Sequence, residues 1–571
     1  ASPRHGARTS HLARFAVDDL AARITAELSA DRDAPLRLNP LVRVEEKAVR
    51  VADRAIALPP ELLAALRAGP VRASELPAEH TRVVAALVRA RVLAVAVAPA
   101  ATSLDDLGDL RAAVAATGLP AASAWVDRLD AIASAVDAVS VRRWPLRKAM
   151  CVDVERTLAA VGRAPSDRPA GTLYADRQPV FEEGVGGLRE LRVHRPALAR
   201  HQRALGAVLH AHAAYATAVR ADARAWLADG WSAAGLPARV SLYELLDAVG
   251  RLPQPDYHGG SPSADALWRR LDGIAPEGTA RVDISADELD AAFADAVPDE
   301  PFVCSPDLLL RGPRGQVVVG EVHQGIQPWC WLIRSLPAAE RERLRAEVGR
   351  WARELAGDAE PITLVEPRFT GKTFTLEYPG LALERVARSA LPPRQVRSLH
   401  SVLADRDAMR LHDSDGRPLV LMPTSPVSPL CRAFAGPVLY GPRRPPLDRH
   451  RPRVVVDDVV WFRESWRLDA DDLAALAAAR DPAAATFAVA RLRDALGLPR
   501  HVYLAVAGEP KPVYLDLAAV AYCDLFARLV AGRQDAVVTE MLPAPDELVL
   551  DCADGVHTSE LRTAMIVRRT S

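Results

Sequence analysis

Apolar positions recur at helical spacing through much of the chain. Trp125, Leu129, Ile132, Val136 and Val139 fall on one stripe of a helix. Leu198, Leu205, Val208, Leu209, Tyr215 and Val219 predict a long helix over about 196–229. Leu344, Val348, Trp351 and Leu355 predict another, opened by Pro337. Strand-like runs interrupt these helices at Pro179 to Glu182, Phe302 to Cys304, Val317 to Val322, Ile362 to Val365 and Pro418 to Met422. A single strand is predicted from Val454 to Trp461. Two more, His501 to Ala507 and Val513 to Leu517, are joined by the turn from Gly508 to Lys511, and a helix over Val520 to Leu529 follows.

Residues 38–98 form the clearest local unit. Leu41 to Val44 and Ala48 to Val51 read as two strands around Glu45, Glu46 and Lys47. Pro59-Pro60 opens a short helix that Gly69-Pro70 stops, and Ser74 is placed to cap a second. A third helix over about 78–90 carries Val83, Val84, Leu87 and Val88, and Val92 to Val97 returns as a strand. Short helices with a strand hairpin are the pattern of a winged helix. Helices and strands are interleaved without a regular βαβ period, which predicts an α+β, multidomain chain with mixed sheets and long helices.

Composition narrows the function classes. The chain has 571 residues, enough for several domains. Lys+Arg number 72 against 73 Asp+Glu, which excludes a uniformly basic nucleic-acid coat but not a local basic patch. The six cysteines are scattered, with no CxxC and no histidine pair at zinc spacing, so neither a disulfide framework nor a structural metal is expected. That usage suits a reducing cytoplasm. No apolar run is long enough to span a bilayer, and no signal peptide opens the chain. The first residue is Ala1, so an N-terminal segment is expected to be missing.

The motifs for chemistry are sparse. Gly371-Lys372-Thr373 lacks the upstream glycine of a P-loop, since Glu366 stands there. Arg368 and Lys372 remain two cations near a strand, able to hold phosphate or to be a solvated loop. Glu321 and His323 lie two apart on a strand and so share a face, as an acid–base pair or as a hydrogen-bonded strand end. Glu182 and Glu183 end a strand and point apart. His201, His210 and His212 read as surface residues of a long helix, not as metal ligands. Arg443, Arg444, Arg449, His450, Arg451 and Arg453 face only Asp448 in sequence. Such a run attracts RNA phosphates or serves as a solvated linker.

Several stretches together resemble the N-terminal glutamylation domain of lantibiotic (class I lanthipeptide) dehydratases. These are Arg451 to Trp461 with Trp466, Leu498 to Leu504, Glu509 to Asp516, Glu540 to Pro545 and Asp554 to Arg562. Upstream, Gly171 to Arg177 with Val180 to Glu183, and Cys304 to Asp307 with Gly320 to His323, resemble strand pairs of the same domain. Ala1-Ser2-Pro3 resembles the end of the family's Arg-Ser-Thr-Pro motif, with Ser2 in place of the threonine. Asp18 or Asp19 stands near a family aspartate at shorter spacing. Gln324 to Trp329 replaces a glycine-rich stretch with an arginine found in nisin-type members.

The resemblance implies a division at residues 1–37 (remnant of an N-terminal catalytic part), 38–98 (winged-helix leader-peptide-binding element), 99–450 (helical and α/β core) and 451–571 (C-terminal α/β part). It implies Ser2, Glu183, Glu321 and His323 as catalytic candidates. Arg4, Arg8, Arg368, Lys372, Arg443 and Arg444 are the tRNA-binding candidates. Val42, Val44, Val49, Val83 and Leu87 are the peptide-binding candidates. The implied reaction moves glutamate from glutamyl-tRNA to Ser or Thr of a ribosomally made precursor peptide. The tRNA ester already activates the acyl group, so no further cofactor is required. The region normally stops near Leu561-Arg562, so elimination falls to a separate protein. A related reading is a peptide aminoacyl-tRNA ligase, which consumes ATP and extends the peptide's C-terminus. A third is an inactive peptide-binding scaffold. A homodimer is compatible with each reading, and a membrane with none.

Overall fold

The computed structural model describes residues 8–29, 31, 33–39, 41–51, 54–95, 97–140, 145–161, 178–184, 195–253, 255, 261–274, 279–313, 315–366, 377–422, 429–436, 449–509, 511–552 and 555–569. Ser2, Arg4, Arg368, Lys372, Arg443 and Arg444 lie outside them, as do the Gly371-Lys372-Thr373 segment and Gly171 to Arg177.

The chain is α+β, and its described residues form two seven-stranded sheets, one five-stranded sheet and several small ribbons. The helix Arg195–Ala233 is the spine. Alanines along its first half let strands and helices approach closely, and Ala207, Ala211, Ala213 and Ala214 are all buried. That half packs on the sheet containing Phe302–Arg311 and Gln316–Gln324. Its second half, through Leu227 and Trp231, packs on the sheet containing Glu360–Val365 and Pro418–Met422.

Residues 38–98 hold a three-stranded ribbon of Arg43–Val44, Ala48–Val51 and Arg54–Ala57. The helices Pro60–Ala68 and Thr81–Arg89 pack behind it, and Leu93–Val95 pairs with Leu36–Leu38. One apolar core runs from Leu12 to Leu158, crossing the expected boundaries at 37/38 and 98/99. A domain has its own core, so this first third of the chain packs as one body. Another core joins Ala204 to Val454, Val456, Val459 and Trp461, crossing the boundary at 450/451.

Two sequence expectations are corrected by the packing. Val454 to Trp461 is a hairpin of two strands, Arg453–Val456 and Val459–Phe462, not one. Asp457 takes the left-handed conformation (φ 49°) that lets the chain reverse. The three histidines are not on the surface: His201, His210 and His212 are each at least 94% buried. His201 Nδ1 pairs with Asp458 at 2.8 Å, and His210 Nδ1 with Asp290 at 2.9 Å. His212 Nε2 accepts the indole N–H of Trp461 at 3.1 Å. A helix covered on most sides has no solvent stripe, so polar positions along it become internal hydrogen-bonding sites.

Candidate functional site

The strands Phe302–Arg311 and Gln316–Gln324 pair antiparallel until Pro306 faces Val322 and Leu308 faces Val319. One residue, Asp307, thus stands opposite two, Gly320 and Glu321. This is a β-bulge, a device that re-aims side chains. On its other edge Asp307 pairs with Arg562 of the strand Glu560–Arg562. Three segments distant in sequence therefore meet at one point.

The side chains there interact. His323 Nε2 lies 3.0 Å from Asp307 Oδ2, and His323 Nδ1 lies 3.7 Å from Glu321 Oε1. Arg562 Nη2 is 3.8 Å from Asp307 and 2.8 Å from Glu560. Burial alone would lower the His323 pKa. The hydrogen bond to Asp307 and the charge of Glu321 outweigh it, and the imidazole is held above its ordinary value. Glu321 and His323 thus form the one-face pair that strand spacing predicts. Asp307 is their third partner.

Asp307, Glu321 and Arg562 line a cleft of about 860 Å³ between this sheet and the five-stranded C-terminal sheet. Arg451, Arg463 and Lys511 add cations, and Phe462 and Tyr503 add aromatic faces. Phe462 stacks on Trp461 with ring centroids 4.3 Å apart. His323 stands behind the wall and reaches the cleft through Asp307 and Glu321.

A buried carboxylate fastens the two sheets, and a half-buried one holds the segment beside them. Glu540 is 2% exposed, accepts from Arg453 through both oxygens and also takes the backbone N–H of Glu464. Glu547 receives a bidentate bond from Arg311 and caps the backbone N–H of Ala544.

The other predicted residues fall elsewhere. Glu183 lies on the strand Val180–Gly184, paired with Arg8–Leu12, and its carboxylate is 3.4 Å from His11 Nε2. Glu182 points the other way, to Arg147 at 3.2 Å. Arg8 lines a separate cavity of about 480 Å³ with Ser10, Arg111 and Arg334. Val42, Val49 and Leu87 are core side chains, and Val44 and Val83 are partly buried against them.

The described part of the basic run is largely neutralised by distant acids. Arg449 pairs with Asp469 and Asp472, His450 with Glu464, and Arg453 with Glu540. Arg451 is the member that lines the cleft. No group of side chains suited to hold a metal occurs among the described residues. No described helix is long and apolar enough to cross a membrane. Cys151, Cys304, Cys330, Cys523 and Cys552 are free thiols. Desolvation of the fully buried Cys304 pushes its thiol well above the ordinary range.

Residues 440–526 match the family described as lantibiotic dehydratase, N terminus. The fold extends that likeness over the chain. The glutamylation domain of TbtB, from thiomuracin biosynthesis, superposes with a TM-score of 0.69 at 17% identity. The match covers 99% of this chain and 74% of that one.

This is the fold of the TbtB glutamylation domain.

The tRNA-dependent lantibiotic dehydratase MibB from Microbispora sp. 107891 gives a TM-score of 0.66 at 17% identity, covering 95% of this chain and 58% of MibB. The TbtB glutamylation domain bound to 5'-phosphodesmethylglutamycin gives 0.62, again at 17% identity, with 99% and 74% covered. Comparison with curated protein sequences gave no match. The family match takes in Arg451, Arg463, Tyr503 and Lys511 of the cleft. Sequence reasoning did not single out Asp307, Arg463, Tyr503 or Arg562 as site residues. All but Arg463 lie within the stretches that carry the family resemblance, which was the available signal. Arg463 lies between two of them, Trp461 and Trp466.

Proposed function

We propose that the cleft receives the aminoacyl end of a glutamyl-tRNA and that the chain transfers the glutamyl group to Ser or Thr of a ribosomally made precursor peptide. The observation that carries this reading is a carboxylate–imidazole–carboxylate cluster opening into a cleft lined by cations and aromatic faces, in this fold. Arginine and lysine suit the phosphates, and flat rings suit a base.

The reaction exchanges one ester for another. The peptide hydroxyl attacks the ester carbonyl, its proton passes to the Glu321 carboxylate, and the tRNA hydroxyl leaves with a proton returned to it. Glu321 is the catalytic base in this scheme. His323 is a positioning residue that holds Glu321 and Asp307 in place. Cations near the carbonyl stabilise the oxyanion as it forms. Because the acyl group arrives activated, ATP is not consumed. Glu183 and Arg8, beside the N-terminal strand, are assigned to binding the tRNA or the peptide outside this cleft. The ribbon and helices of residues 38–98 are assigned to the precursor's leader. Elimination of the transferred glutamate is a later, separate step.

The test is incubation of the chain with its precursor peptide and glutamyl-tRNA, with and without ATP, followed by mass analysis. Labile glutamate on Ser or Thr without ATP is the expected product. A stable C-terminal residue that appears only with ATP would instead mark a peptide ligase. The absence of any tRNA binding would mark a peptide-binding scaffold.

A further inference from the structure

We propose that Arg463 reads the side-chain carboxylate of the aminoacyl group in the cleft and so selects glutamyl over neutral amino acids. This rests on the aminoacyl-tRNA reading above. Arg463 directly follows the strand Val459–Phe462 and lines the cleft. Its Nη2 donates to the Leu542 carbonyl at 3.0 Å. Its Nε is shielded from solvent and has no hydrogen-bond partner among the described residues.

No carboxylate among the described residues lies within ion-pair distance of Arg463, and the nearby Glu540 is already engaged. Glu540 holds Arg453 and the backbone N–H of Glu464. The contrast is with Arg562, across the same cleft, which has Glu560 at 2.8 Å. A guanidinium carries five N–H donors in a planar fork that matches a carboxylate. Burying that charge without a counter-ion is costly, and a ligand that supplies one relieves the cost. A neutral amide cannot, because its NH2 meets another donor. Desolvation also lowers the Arg463 pKa, in keeping with a cation short of compensating charge.

The experiment compares two stable probes, the 3'-amide-linked glutamyl-adenosine and glutaminyl-adenosine, by calorimetric titration of the full chain. The glutamyl probe is expected to bind at least about tenfold more tightly, the effect of replacing a charge-assisted pair by a neutral one. In Arg463→Gln the two probes should bind within about twofold of each other, again from loss of that pair. Arg463→Lys keeps the charge without the fork, so it should retain part of the preference. It carries the test if the glutamine variant fails to fold by circular dichroism. Equal binding, or no binding, of the two probes by the unaltered chain overturns the proposal. So does a preference that survives in both variants, or an equal loss for both probes, which would place Arg463 on the adenosine. Glutamyl transfer is assayed in parallel. A carboxylate preference without transfer supports Arg463 and sinks the transfer reading; transfer without a preference does the reverse.

Discussion

Asp307 Oδ2 and His323 Nε2 lie 3.0 Å apart on neighbouring strands, facing each other across a β-bulge. The pair sets the charge of the cleft wall. Burial acts to lower the His323 pKa, but Asp307 and Glu321 raise it above the ordinary 6.5. A raised folded-state pKa stabilises the protein fully below the unfolded value and loses that contribution as pH rises through the folded value. Unfolding free energy should therefore fall as pH rises above 6.5, and the fall should be smaller in Asp307→Asn. Imidazole titration by NMR should show the His323 pKa lowered in that variant, because the hydrogen bond and charge of Asp307 that raise it are gone. An unchanged titration would remove Asp307 from the cluster.

The bulge tolerates little added volume. A Cβ on Gly320 would meet the Asp307 carbonyl oxygen at 3.1 Å, the Asp307 Cβ at 3.2 Å and Leu309 Cδ1 at 3.3 Å. Two of these neighbours are held by the paired strand and cannot swing away. Gly320→Ala should destabilise the chain by about 1–2 kcal/mol, as overpacking does, and should shift the His323 titration. Thermal melts and the same NMR signal check both effects.

Arg453 and Glu540 join the two sheets that wall the cleft. Arg453→Met leaves a carboxylate that is 2% exposed without its counter-ion. Breaking a buried pair from one side costs about 3–5 kcal/mol. Replacing both, as Arg453→Met with Glu540→Leu, should recover much of that loss. Urea unfolding of the two variants decides the matter, and equal loss in both would mean the pair is not what fastens the sheets.

Acid sensitivity should appear at Asp516. Hydrogen bonds from Arg500, at 2.8 and 2.9 Å, are the largest cause holding its pKa at about 2 against an ordinary 3.8. A depressed carboxylate stabilises the fold above its unfolded value and loses that contribution as pH falls, here from 3.8 toward about 2. Arg500 is largely exposed, so solvent screening limits the effect to about 0.5–1 kcal/mol. Asp516→Asn should flatten stability across that window in acid unfolding curves.

Much of the scaffold was legible in the sequence. The stripe from Trp125 to Val139 became the buried face of the helix Pro120–Ser140. The long helix was placed within a few residues of Arg195–Ala233. Periodicity did not reveal what surrounded that helix, so three internal histidines looked external. The Val454 to Trp461 run is apolar on both sides of Asp457-Asp458, which hid its turn. In the site, Glu321 and His323 were readable because a strand's two-residue period is local. Asp307 and Arg562 join them only through register between strands, and no local pattern encodes that. The pairing of the described part of the basic run was hidden for the same reason. Its counter-charges Glu464, Asp469, Asp472 and Glu540 lie well downstream in sequence.

The meeting of residues 307, 321 and 562 on adjacent strands also bears on how the molecule is made. A chain synthesised from its N-terminus forms its early units first. The core that runs from Leu12 to Leu158 can assemble while the later strands are still unmade. The cleft wall cannot, because its outer strand Glu560–Arg562 emerges some 240 residues after Glu321. A nascent chain would thus hold a finished first body well before it holds a working cleft. Competence would arrive late and all at once, so no half-built cleft is exposed while the earlier strands are being made.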